Sequence, residues 1–425
     1  ALAGTPLGMN FAFLDPAPDA CAAALGEHIR ADYSDLQHLR QLADEVDLVT
    51  FEFESVPAET VAFLSQFVPV YPSADALRIA RDRWFEKSMF KELGIPTPAF
   101  ADIQSQADLD NAVANIGLPA VLKTRTLGYD GKGQKVLRKA EDVPNTFAEL
   151  GSVPCLLEGF VPFTGEVSLI AVRGRDGATC FYPLVHNNHD NGILKLSIAS
   201  SDHPLQALAE DYVSRVLDKL DYVGVLAFEF FEVDGGLKAN EIAPRVHNSG
   251  HWTIEGAECS QFENHLRAIA GLPLGATRKV GESAMLNFIG SVPEVSKVIA
   301  FEDCHLHHYG KAFKAGRKVG HATLRSTSRA ILDRQIMALM GVDTKRIYLV
   351  TSALGGGLER PFAETAQLVA SGHGTSRDHG AGAQGGAGVV FSSQALVPGL
   401  ARREARAGIR SYVLACCYWR GICSG

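Results

Sequence analysis

The sequence predicts an α/β domain followed by an α+β region, and three observations support this fold class. Strand-like and helix-like stretches alternate through residues 1–78, which is typical of a parallel sheet with crossover helices. Residues 120–138 predict two strands joined by a glycine-rich loop. Residues 224–252 predict an antiparallel hairpin that turns at Asp234-Gly235-Gly236. The chain therefore combines a small parallel domain with a larger region in which sequential strands pair antiparallel.

Changes in composition divide the chain into five segments. A charged amphipathic helix, Ala74–Leu93, ends at Gly94-Ile-Pro-Thr-Pro98 and separates the parallel domain from the rest. Beyond about Gly341 the chain becomes glycine-rich and loses periodicity. The predicted segments are an N-terminal α/β domain (1–78), a linker helix (79–98), a segment with the glycine-rich loop (99–164), a second region (165–341) and a tail (342–425).

Composition limits the class of protein. The 425 residues are 46% hydrophobic and 21% charged, which predicts a globular chain with a large core. A net charge of −8 disfavours nucleic acid as a partner, because nucleic-acid-binding surfaces are basic. No apolar run is long enough to span a membrane. Five scattered cysteines predict reduced thiols and a cytoplasmic location: Cys21, Cys155, Cys180, Cys259 and Cys304.

The hairpin places two carboxylates on an otherwise apolar face. A register centred near Gly235 sets Glu229 opposite Glu241, and it sets Glu232 opposite Lys238 on the other face. Facing carboxylates repel unless a cation or a proton lies between them. Mg²⁺ prefers oxygen ligands and is often bound by one or two carboxylates together with phosphate. A solvent-facing edge hairpin is the alternative interpretation of the same pattern.

Anion-binding and proton-handling side chains follow the second strand directly. Five of the seven positions from 245 to 251 carry such groups: Arg245, His247, Asn248, Ser249 and His251. A structural turn does not require such a density of these groups, which is typical of a functional site. This stretch therefore favours the metal-binding interpretation of the hairpin.

The loop Arg125–Gln134 is a candidate phosphate site. Its glycines allow the backbone amides to approach a phosphate closely, and Lys123 and Lys132 supply positive charge. No Gly-Lys-Ser/Thr opens a helix here, which excludes a Walker A loop, and a loop between two strands excludes a Rossmann fingerprint. A flexible glycine-rich hairpin without a ligand is the alternative.

Two further groups of residues have a functional and a structural interpretation. Lys311, Lys314, Arg317 and Lys318 form a basic loop that either binds a monophosphate or is a solvated charge run. His186 and His189 lie three apart in a predicted loop without neighbouring ligands, which disfavours zinc. One of the two is expected to hydrogen-bond a ligand or a backbone group.

The two ends of the sequence predict departures from a regular fold. The chain starts with Ala1, and residues 1–8 predict the end of a helix running into a strand, so we expect that an element is missing in front. Residues 341–425 hold 15 of the 41 glycines, and the tail is expected to be disordered or foreign sequence without chemistry.

The order of these motifs resembles the ATP-grasp superfamily. The resemblance rests on Lys123, the loop Gly128–Gln134, Glu158-Gly-Phe-Val161, Gly165-Glu166-Val-Ser168, and Glu229 with Asn240-Glu241. Within the superfamily, the chain up to about residue 340 is similar to the 5-(carboxyamino)imidazole ribonucleotide synthases. The most specific string is Glu241-Ile-Ala-Pro-Arg-Val-His-Asn-Ser-Gly-His-Trp252, supported by Phe181-Tyr-Pro-Leu184 and Gly316–His321.

The resemblance implies an ATP-grasp fold behind a parallel pre-ATP-grasp domain, with a lid subdomain at 99–164 and a catalytic subdomain at 165–341. It implies that ATP, bicarbonate and 5-aminoimidazole ribonucleotide react through carboxyphosphate to the N-carboxylated nucleotide, ADP and phosphate. ATP and Mg²⁺ or Mn²⁺ are the implied cofactors, and a cytoplasmic homodimer is the implied assembly.

The resemblance also assigns residues. Glu229 and Glu241 would bind the metal, and Asp130, Lys132, Arg245 and His247 would act in catalysis, with Asp130 or His247 as the base. The implied nucleotide site comprises Arg83, Lys123, Gly128, Tyr129, Asp130, Gly131, Lys132, Gly133, Gln134, Glu158, Gly159, Phe160, Val161, Glu166, His189, Asn240 and Glu241. The implied site for the second substrate comprises Tyr129, Asp130, Arg245, His247, Asn248, Ser249, Lys311 and Arg317.

Two departures from the family pattern leave alternatives open. The family opens with a strand and a turn reading roughly Gly-Gly-Gly-Gln-Leu-Gly-Arg, and this sequence begins after them. Lys132 stands where arginine is common, which keeps the charge but loses the bidentate fork.

Glu52 and Glu54 have two possible roles: they line the bicarbonate side of the site, or they simply end a strand. The alternatives are an inactive nucleotide-binding fragment and another ATP-grasp enzyme, such as biotin carboxylase or the formate-using glycinamide ribonucleotide transformylase.

Overall fold

The computed structural model describes residues 1–128, 133–343 and 411–414. The N-terminal domain has a parallel sheet of β1 (Ala12–Leu14), β2 (Glu27–Ile29), β3 (Leu48–Phe51) and β17 (Ser411–Leu414), in the order β2-β1-β17-β3. Helices α1 (Leu36–Glu45) and α2 (Ala58–Leu64) pack on it. Alternating strands and helices thus form the parallel domain that the sequence predicts.

Strand β17 comes from the predicted tail. It lies between β1 and β3, with Val413 aligned to Phe13 and to Thr50. These four residues are ordered as a strand, which differs from the expectation of a disordered tail. Residues 344–410 and 415–425 lie outside the described residues.

The predicted helix Ala74–Leu93 is two helices, α3 (Ala74–Ala80) and α4 (Arg83–Glu92). The break occurs because Asp82 adopts an extended conformation and its carboxylate accepts a hydrogen bond from the Trp84 amide, which caps α4. The cap places Arg83 at the start of α4.

The segment with the glycine-rich loop forms a second sheet. Its strands are β4 (Phe100–Ile103), β5 (Ala120–Thr124), β6 (Gln134–Leu137) and β7 (Cys155–Gly159), in the antiparallel order β4-β7-β5-β6. Helices α5 (Gln106–Ile116) and α6 (Thr146–Glu149) accompany this sheet. The loop joins β5 to β6, as the sequence predicts.

The largest sheet runs in the order β13-β12-β8-β10-β11-β14-β16-β15, and β9 pairs with β8. The strands are β8 (Gly165–Arg173), β9 (Thr179–Phe181), β10 (Val185–Asp190), β11 (Ile193–Ala199), β12 (Gly224–Val233), β13 (Gly236–Ala243), β14 (Glu282–Ile289), β15 (Cys304–His308) and β16 (Lys318–Ser326). The accompanying helices are α7 (Gln206–Lys219), α8 (Thr253–Gly256), α9 (Gln261–Ile269), α10 (Val295–Val298) and α11 (Arg329–Asp343). Short 3₁₀ turns occur at Thr5–Leu7, Ala23–Leu25, Ala140–Asp142 and Asn248–Gly250.

The hairpin of β12 and β13 confirms one predicted pair and contradicts the other. Glu229 lies opposite Glu241, as predicted, but Glu232 lies opposite Leu237, and Lys238 faces Phe231. The loop consists of Asp234 and Gly235, both with positive φ, and a bulge after Glu229 shifts the register by one residue. Leu237 and Ala239 consequently join the core with Phe230, on the face away from Glu229.

Three smaller expectations are also corrected or refined. His186 and His189 lie on β10 and not in a loop. Among the described cysteines, Cys155, Cys180, Cys259 and Cys304 are free, whereas Cys21 is disulfide-bonded, contrary to the expectation of reduced thiols throughout. The described helices are too short or too polar to cross a lipid bilayer.

Candidate active site

The facing carboxylates of Glu229 and Glu241 are the centre of the candidate site. Burial and the negative charge of Glu241 raise the pKa of Glu229 to about 7. The carboxyl group of Glu229 is therefore only partly ionised near neutral pH, and a nearby cation would favour its charged form. Oxygen ligands on two paired strands, with the side chain of Glu241 45% exposed, fit a hard divalent cation.

Arg83 connects this pair with the glycine-rich loop. Its guanidinium lies 3.6 Å from a Glu241 carboxylate oxygen and 3.5 Å from the carbonyl oxygen of Gly128. The cap at Asp82 holds Arg83 in the first turn of α4, where its side chain reaches both partners. An arginine guanidinium within reach of this loop can bind a phosphate that the loop holds.

A buried ionic cluster lies beside Arg83. The Glu158 carboxylate lies 2.5 Å from Lys123 Nζ and 2.8 Å from Lys87 Nζ, and Lys87 also donates to the carbonyl of Ala239 at 3.0 Å. Burial alone would raise the pKa of Glu158, but the two lysines hold it well below its usual range. The cluster ties the second sheet to α4 and to β13.

Lys87 and Glu86 are buried residues that the sequence analysis missed. The Glu86 carboxylate accepts a hydrogen bond from the Ile242 amide at 2.6 Å, and burial together with Glu241 raises its pKa well above the usual value. With Lys87 on Ala239, these contacts satisfy polar backbone groups of β13. The spacing of Arg83 and Lys87 on one helical face is the sequence signal that could have identified Lys87.

His247 lies on the other side of the carboxylate pair. Its Nε2 is 3.4 Å from Glu229, and its Nδ1 is 2.8 Å from the hydroxyl of Ser249, which in turn accepts from Ser168 at 2.8 Å. Burial and the charge of Arg245 keep the pKa of His247 well below its usual value. The Ser249 amide donates to Nδ1 at 3.3 Å, which favours a ring proton on Nε2, facing Glu229. The imidazole can accept a proton from a bound substrate at Nε2 once its own proton has moved to Nδ1, where the Ser249 hydroxyl can accept it.

Arg245 contacts a residue of the N-terminal domain. Its Nε lies 2.9 Å from Glu54, which follows β3. Burial raises the pKa of Glu54 in spite of the nearby Arg245 charge. Glu54 therefore contacts a candidate site residue, and its role in bicarbonate binding stays a prediction.

Glu166 and His189 form a second acidic and basic pair on the same face of the sheet. Their side chains lie 2.8 Å apart. Burial opposes a charge on His189, but the hydrogen bond to Glu166 and the charge of Glu229 raise its pKa. The carboxylate and the imidazole can both bind hydroxyl groups of a ligand.

Asn248 and Asn287 exchange hydrogen bonds through their amide groups, at 3.2 Å and 2.7 Å. Asn287 also donates to the carbonyl of Leu194, so β14 fixes Asn248 beside His247. The sequence analysis missed Asn287, because a single asparagine in an apolar strand pattern carries no specific signal.

The basic loop presents Lys311 and Arg317 near one another. Burial, Arg317 and Lys318 together lower the pKa of Lys311 to about 5. Its Nζ lies 4.7 Å from the centre of the Tyr309 ring, and the Tyr309 hydroxyl lies 2.6 Å from Nδ1 of His321. Arg317 and Lys318 repel a positive charge on Lys311, and a bound anion would offset this repulsion.

The remaining predicted residues are placed as follows. Gly133 has a φ of +70°, and a Cβ there would lie 2.7 Å from the hydroxyl of Thr124, so the position requires glycine. Asn240 is the bulged residue of β13, and Gln134 begins β6. Gly159 ends β7, Phe160 is 44% exposed and Val161 is buried. The predicted ligands Tyr129, Asp130, Gly131 and Lys132 lie outside the described residues.

Three family models match the chain in succession. Residues 1–81 match the ribonucleotide synthetase preATP-grasp domain, residues 88–262 the ATP-grasp domain, and residues 283–335 the phosphoribosylaminoimidazole carboxylase C-terminal domain. The chain is 85% identical over 336 residues to the N5-carboxyaminoimidazole ribonucleotide synthase of Pseudomonas aeruginosa, covering 79% of this chain and 93% of the relative.

Solved structures agree with these matches. The N5-carboxyaminoimidazole ribonucleotide synthetase of Thermus thermophilus superposes with a TM-score of 0.78 at 50% identity, covering 82% of this chain and 96% of that one. The Aspergillus clavatus synthase, solved with ADP and 5-aminoimidazole ribonucleotide, superposes with a TM-score of 0.74 at 28% identity, covering 80% and 94%. The order of its domains, the fold and the similarity to these relatives show that the chain belongs to the N5-carboxyaminoimidazole ribonucleotide synthase family of ATP-grasp ligases.

Proposed function

We propose that this chain carboxylates 5-aminoimidazole ribonucleotide with ATP and bicarbonate, through carboxyphosphate, and releases ADP and phosphate. The main support is the arrangement of four residues: Arg83 contacts Glu241, Glu241 lies opposite Glu229 on the paired strand, and Glu229 contacts His247. This path joins a phosphate-binding region to a neutral base, which is what phosphoryl transfer followed by carboxylation of an amine requires.

In this proposal the nucleotide lies between the second sheet and the hairpin. Arg83, Lys123 and the loop around Gly128 and Gly133 bind the phosphates. The backbone of residues 159–161 and the exposed ring of Phe160 contact adenine, since the carboxylate of Glu158 already binds two lysines. Glu166, held by His189, accepts hydrogen bonds from the ribose.

Glu229 and Glu241 would hold Mg²⁺ or Mn²⁺, with Asn240 beside them. The fit rests on the raised pKa of Glu229, because a carboxyl group that resists ionisation next to another carboxylate is stabilised in its charged form by a cation. When bound, such an ion neutralises the charge of the transferring phosphoryl group.

The second substrate and bicarbonate occupy the side of Arg245. The Arg245 guanidinium, positioned by Glu54, binds bicarbonate, and Asn248 and Ser249 orient the aminoimidazole. His247, neutral because of burial and Arg245, accepts the proton of the amine at Nε2 in the tautomer whose Nδ1 proton is donated to the Ser249 hydroxyl. Tyr129, Asp130 and Lys132 stay predictions for the same substrate, with Asp130 as the other candidate base.

Substrate exchange in an ADP-release assay tests the proposed function. We expect turnover that requires both 5-aminoimidazole ribonucleotide and bicarbonate, and none with biotin, or with formate and glycinamide ribonucleotide. Calorimetric binding of ATP without bicarbonate-dependent turnover would instead identify an inactive nucleotide-binding fragment. Turnover with biotin or formate would identify another ATP-grasp reaction.

The basic loop is proposed to bind the 5′-phosphate of the second substrate. Replacing Lys311 or Arg317 with alanine should raise KM for 5-aminoimidazole ribonucleotide about 10- to 100-fold, since a hydrogen bond to a charged group contributes about 1.5–3 kcal/mol. KM for ATP should stay within about twofold. Lys314→Ala is the matched control, because Lys314 is an exposed cation of the same loop.

Proton uptake gives a second measurement on the same loop. With a pKa of about 5, Lys311 is neutral near pH 7, and a bound phosphate would raise that pKa. Binding should then take up about one proton, and affinity should fall as the pH rises through the pKa of the bound state. Calorimetry in two buffers of different ionisation enthalpy measures this. Equal uptake in Lys311→Met, or an unchanged KM in both alanine variants, would leave the loop a solvated surface.

We also infer a cytoplasmic homodimer, which rests on the family resemblance alone. Sedimentation equilibrium measures the assembly directly.

A further inference from the structure

A cluster of two histidines and one glutamate lies outside the candidate active site. Nε2 of His203 is 3.1 Å from one carboxylate oxygen of Glu232, and Nδ1 of His186 is 4.0 Å from the other. The two imidazole rings lie 4.8 Å apart between centroids. All three possible ligand atoms fall within 4.8 Å of one another, although the residues come from β10, β12 and the segment before α7.

The sheet separates this cluster from the active site. Neighbouring residues of a strand point to opposite faces, and Glu232 shares its face with Phe230, whereas Glu229 points to the other side. Glu232 lies opposite Gly165 of β8, where a Cβ would come within 2.4 Å of the Glu232 carboxylate. Glycine at this position therefore lets the carboxylate extend across β8 towards His186 on β10.

We propose that His186, His203 and Glu232 bind a divalent transition metal such as Zn²⁺. Two imidazole nitrogens and one carboxylate oxygen are ligands that Zn²⁺ takes in three-ligand sites with an open fourth position. The side chain of His203 is only 4% exposed and that of Glu232 is 20% exposed, whereas His186 is 38% exposed. The cluster is thus partly enclosed by the protein and accessible from the His186 side.

A cleft next to His203 gives a second route to the cluster. This residue lines a cleft of about 560 Å³ together with Asp202 and Arg278. A hydrated ion can enter through such a cleft, and water can complete a tetrahedral coordination.

One existing hydrogen bond should lower the affinity of the cluster for a metal ion. The amide of Leu205 donates to Nδ1 of His203 at 3.2 Å, so the ring proton lies on Nε2 and points to Glu232. A metal at Nε2 moves this proton to Nδ1, and the Leu205 amide then loses its acceptor. The affinity should consequently be lower than that of a dedicated structural zinc site.

Co²⁺ is the probe that distinguishes the two metal sites. The whole chain is titrated with Co²⁺ in excess Mg²⁺, so that Mg²⁺ saturates the oxygen site of Glu229 and Glu241. The intense visible absorption of tetrahedral Co²⁺ should then appear and reach its maximum at about one Co²⁺ per chain. Zn²⁺ should displace the Co²⁺ and abolish the band. His203→Ala and Glu232→Gln should each weaken Co²⁺ binding at least about tenfold. His38→Ala should not, although His38 also pairs with a carboxylate, that of Asp35 at 2.8 Å.

Folding and activity serve as independent checks. His203→Asn replaces the imidazole with a smaller polar group, and it should melt near the wild-type temperature without metal and keep ATP turnover. Zn²⁺ should raise the melting temperature of the wild-type chain and of His38→Ala, but not that of His203→Asn. A wild-type chain that shows no tetrahedral Co²⁺ absorption in excess Mg²⁺ overturns the proposal, whatever the variants do. Equal Co²⁺ affinity of wild type and His203→Asn also overturns it.

Discussion

Replacing Glu241 with glutamine is expected to lower the rate of ADP release about 10²- to 10³-fold, an effect comparable to removing one electrostatic stabiliser of a transition state. The amide keeps the shape of the side chain but removes the negative charge opposite Glu229. Arg83, 3.6 Å from Glu241, loses its anionic partner at the same time. Initial rates at saturating ATP and a titration with Mg²⁺ measure both consequences, and the Mg²⁺ requirement should rise.

The same substitution should leave the fold intact, because the side chain of Glu241 is 45% exposed and its charge repels Glu229. Melting temperature should therefore stay constant or rise slightly. Glu27→Gln, on an exposed residue of β2, controls for the chemical change and should have full activity. A rate for Glu241→Gln within about threefold of wild type, with unaltered Mg²⁺ dependence, would remove both carboxylates from the metal site.

The hairpin shows how far local sequence patterns define this site. The turn residues and the apolar alternation were enough to predict Glu229 opposite Glu241. They were not enough to place Glu232, because the bulge at Asn240 shifts the register between the turn and the pair. A one-residue shift reverses the face of every side chain beyond it. The shift moves Lys238 to the face of Phe231, while Glu232 keeps its face, where it lies beside His203.

Residues that arrive by tertiary packing had weaker signals or none. Lys87 and Glu86 reach β13 only because α4 packs against its edge, and the helical pattern alone predicts polar surface positions. Glu54 pairs with Arg245, almost two hundred positions later and in another domain. Composition alone does not predict such a contact. The motif resemblance, in contrast, pointed to Arg83, Lys123 and Arg245, which contact Glu241, Glu158 and Glu54 in the structure. Their roles in binding and catalysis stay predictions.

Glu158→Gln is expected to lower the free energy of unfolding by about 3–5 kcal/mol, the usual cost of removing one partner of a buried ion pair. The carboxylate binds Lys87 and Lys123, and the side chains of Glu158 and Lys87 are 3% and 2% exposed. Without it, Lys87 keeps its hydrogen bond to the Ala239 carbonyl but has a buried charge without its carboxylate partner. Urea denaturation at pH 7 measures the loss, and Glu149→Gln is the matched control, since Glu149 pairs with Lys135 at the exposed surface of the same region.

The dependence of this loss on pH tests its electrostatic origin. The pKa of Glu158 is lower in the folded than in the unfolded chain, so its contribution is complete at neutral pH and is lost as the pH falls through the acid range. The stability difference between wild type and Glu158→Gln should narrow accordingly. Lys87→Met combined with Glu158→Gln should cost less than the sum of the two single changes, because the first removes the charge that the second leaves buried. A Glu158→Gln loss no larger than that of Glu149→Gln would mean that water reaches Lys87 and that the cluster is not buried in solution.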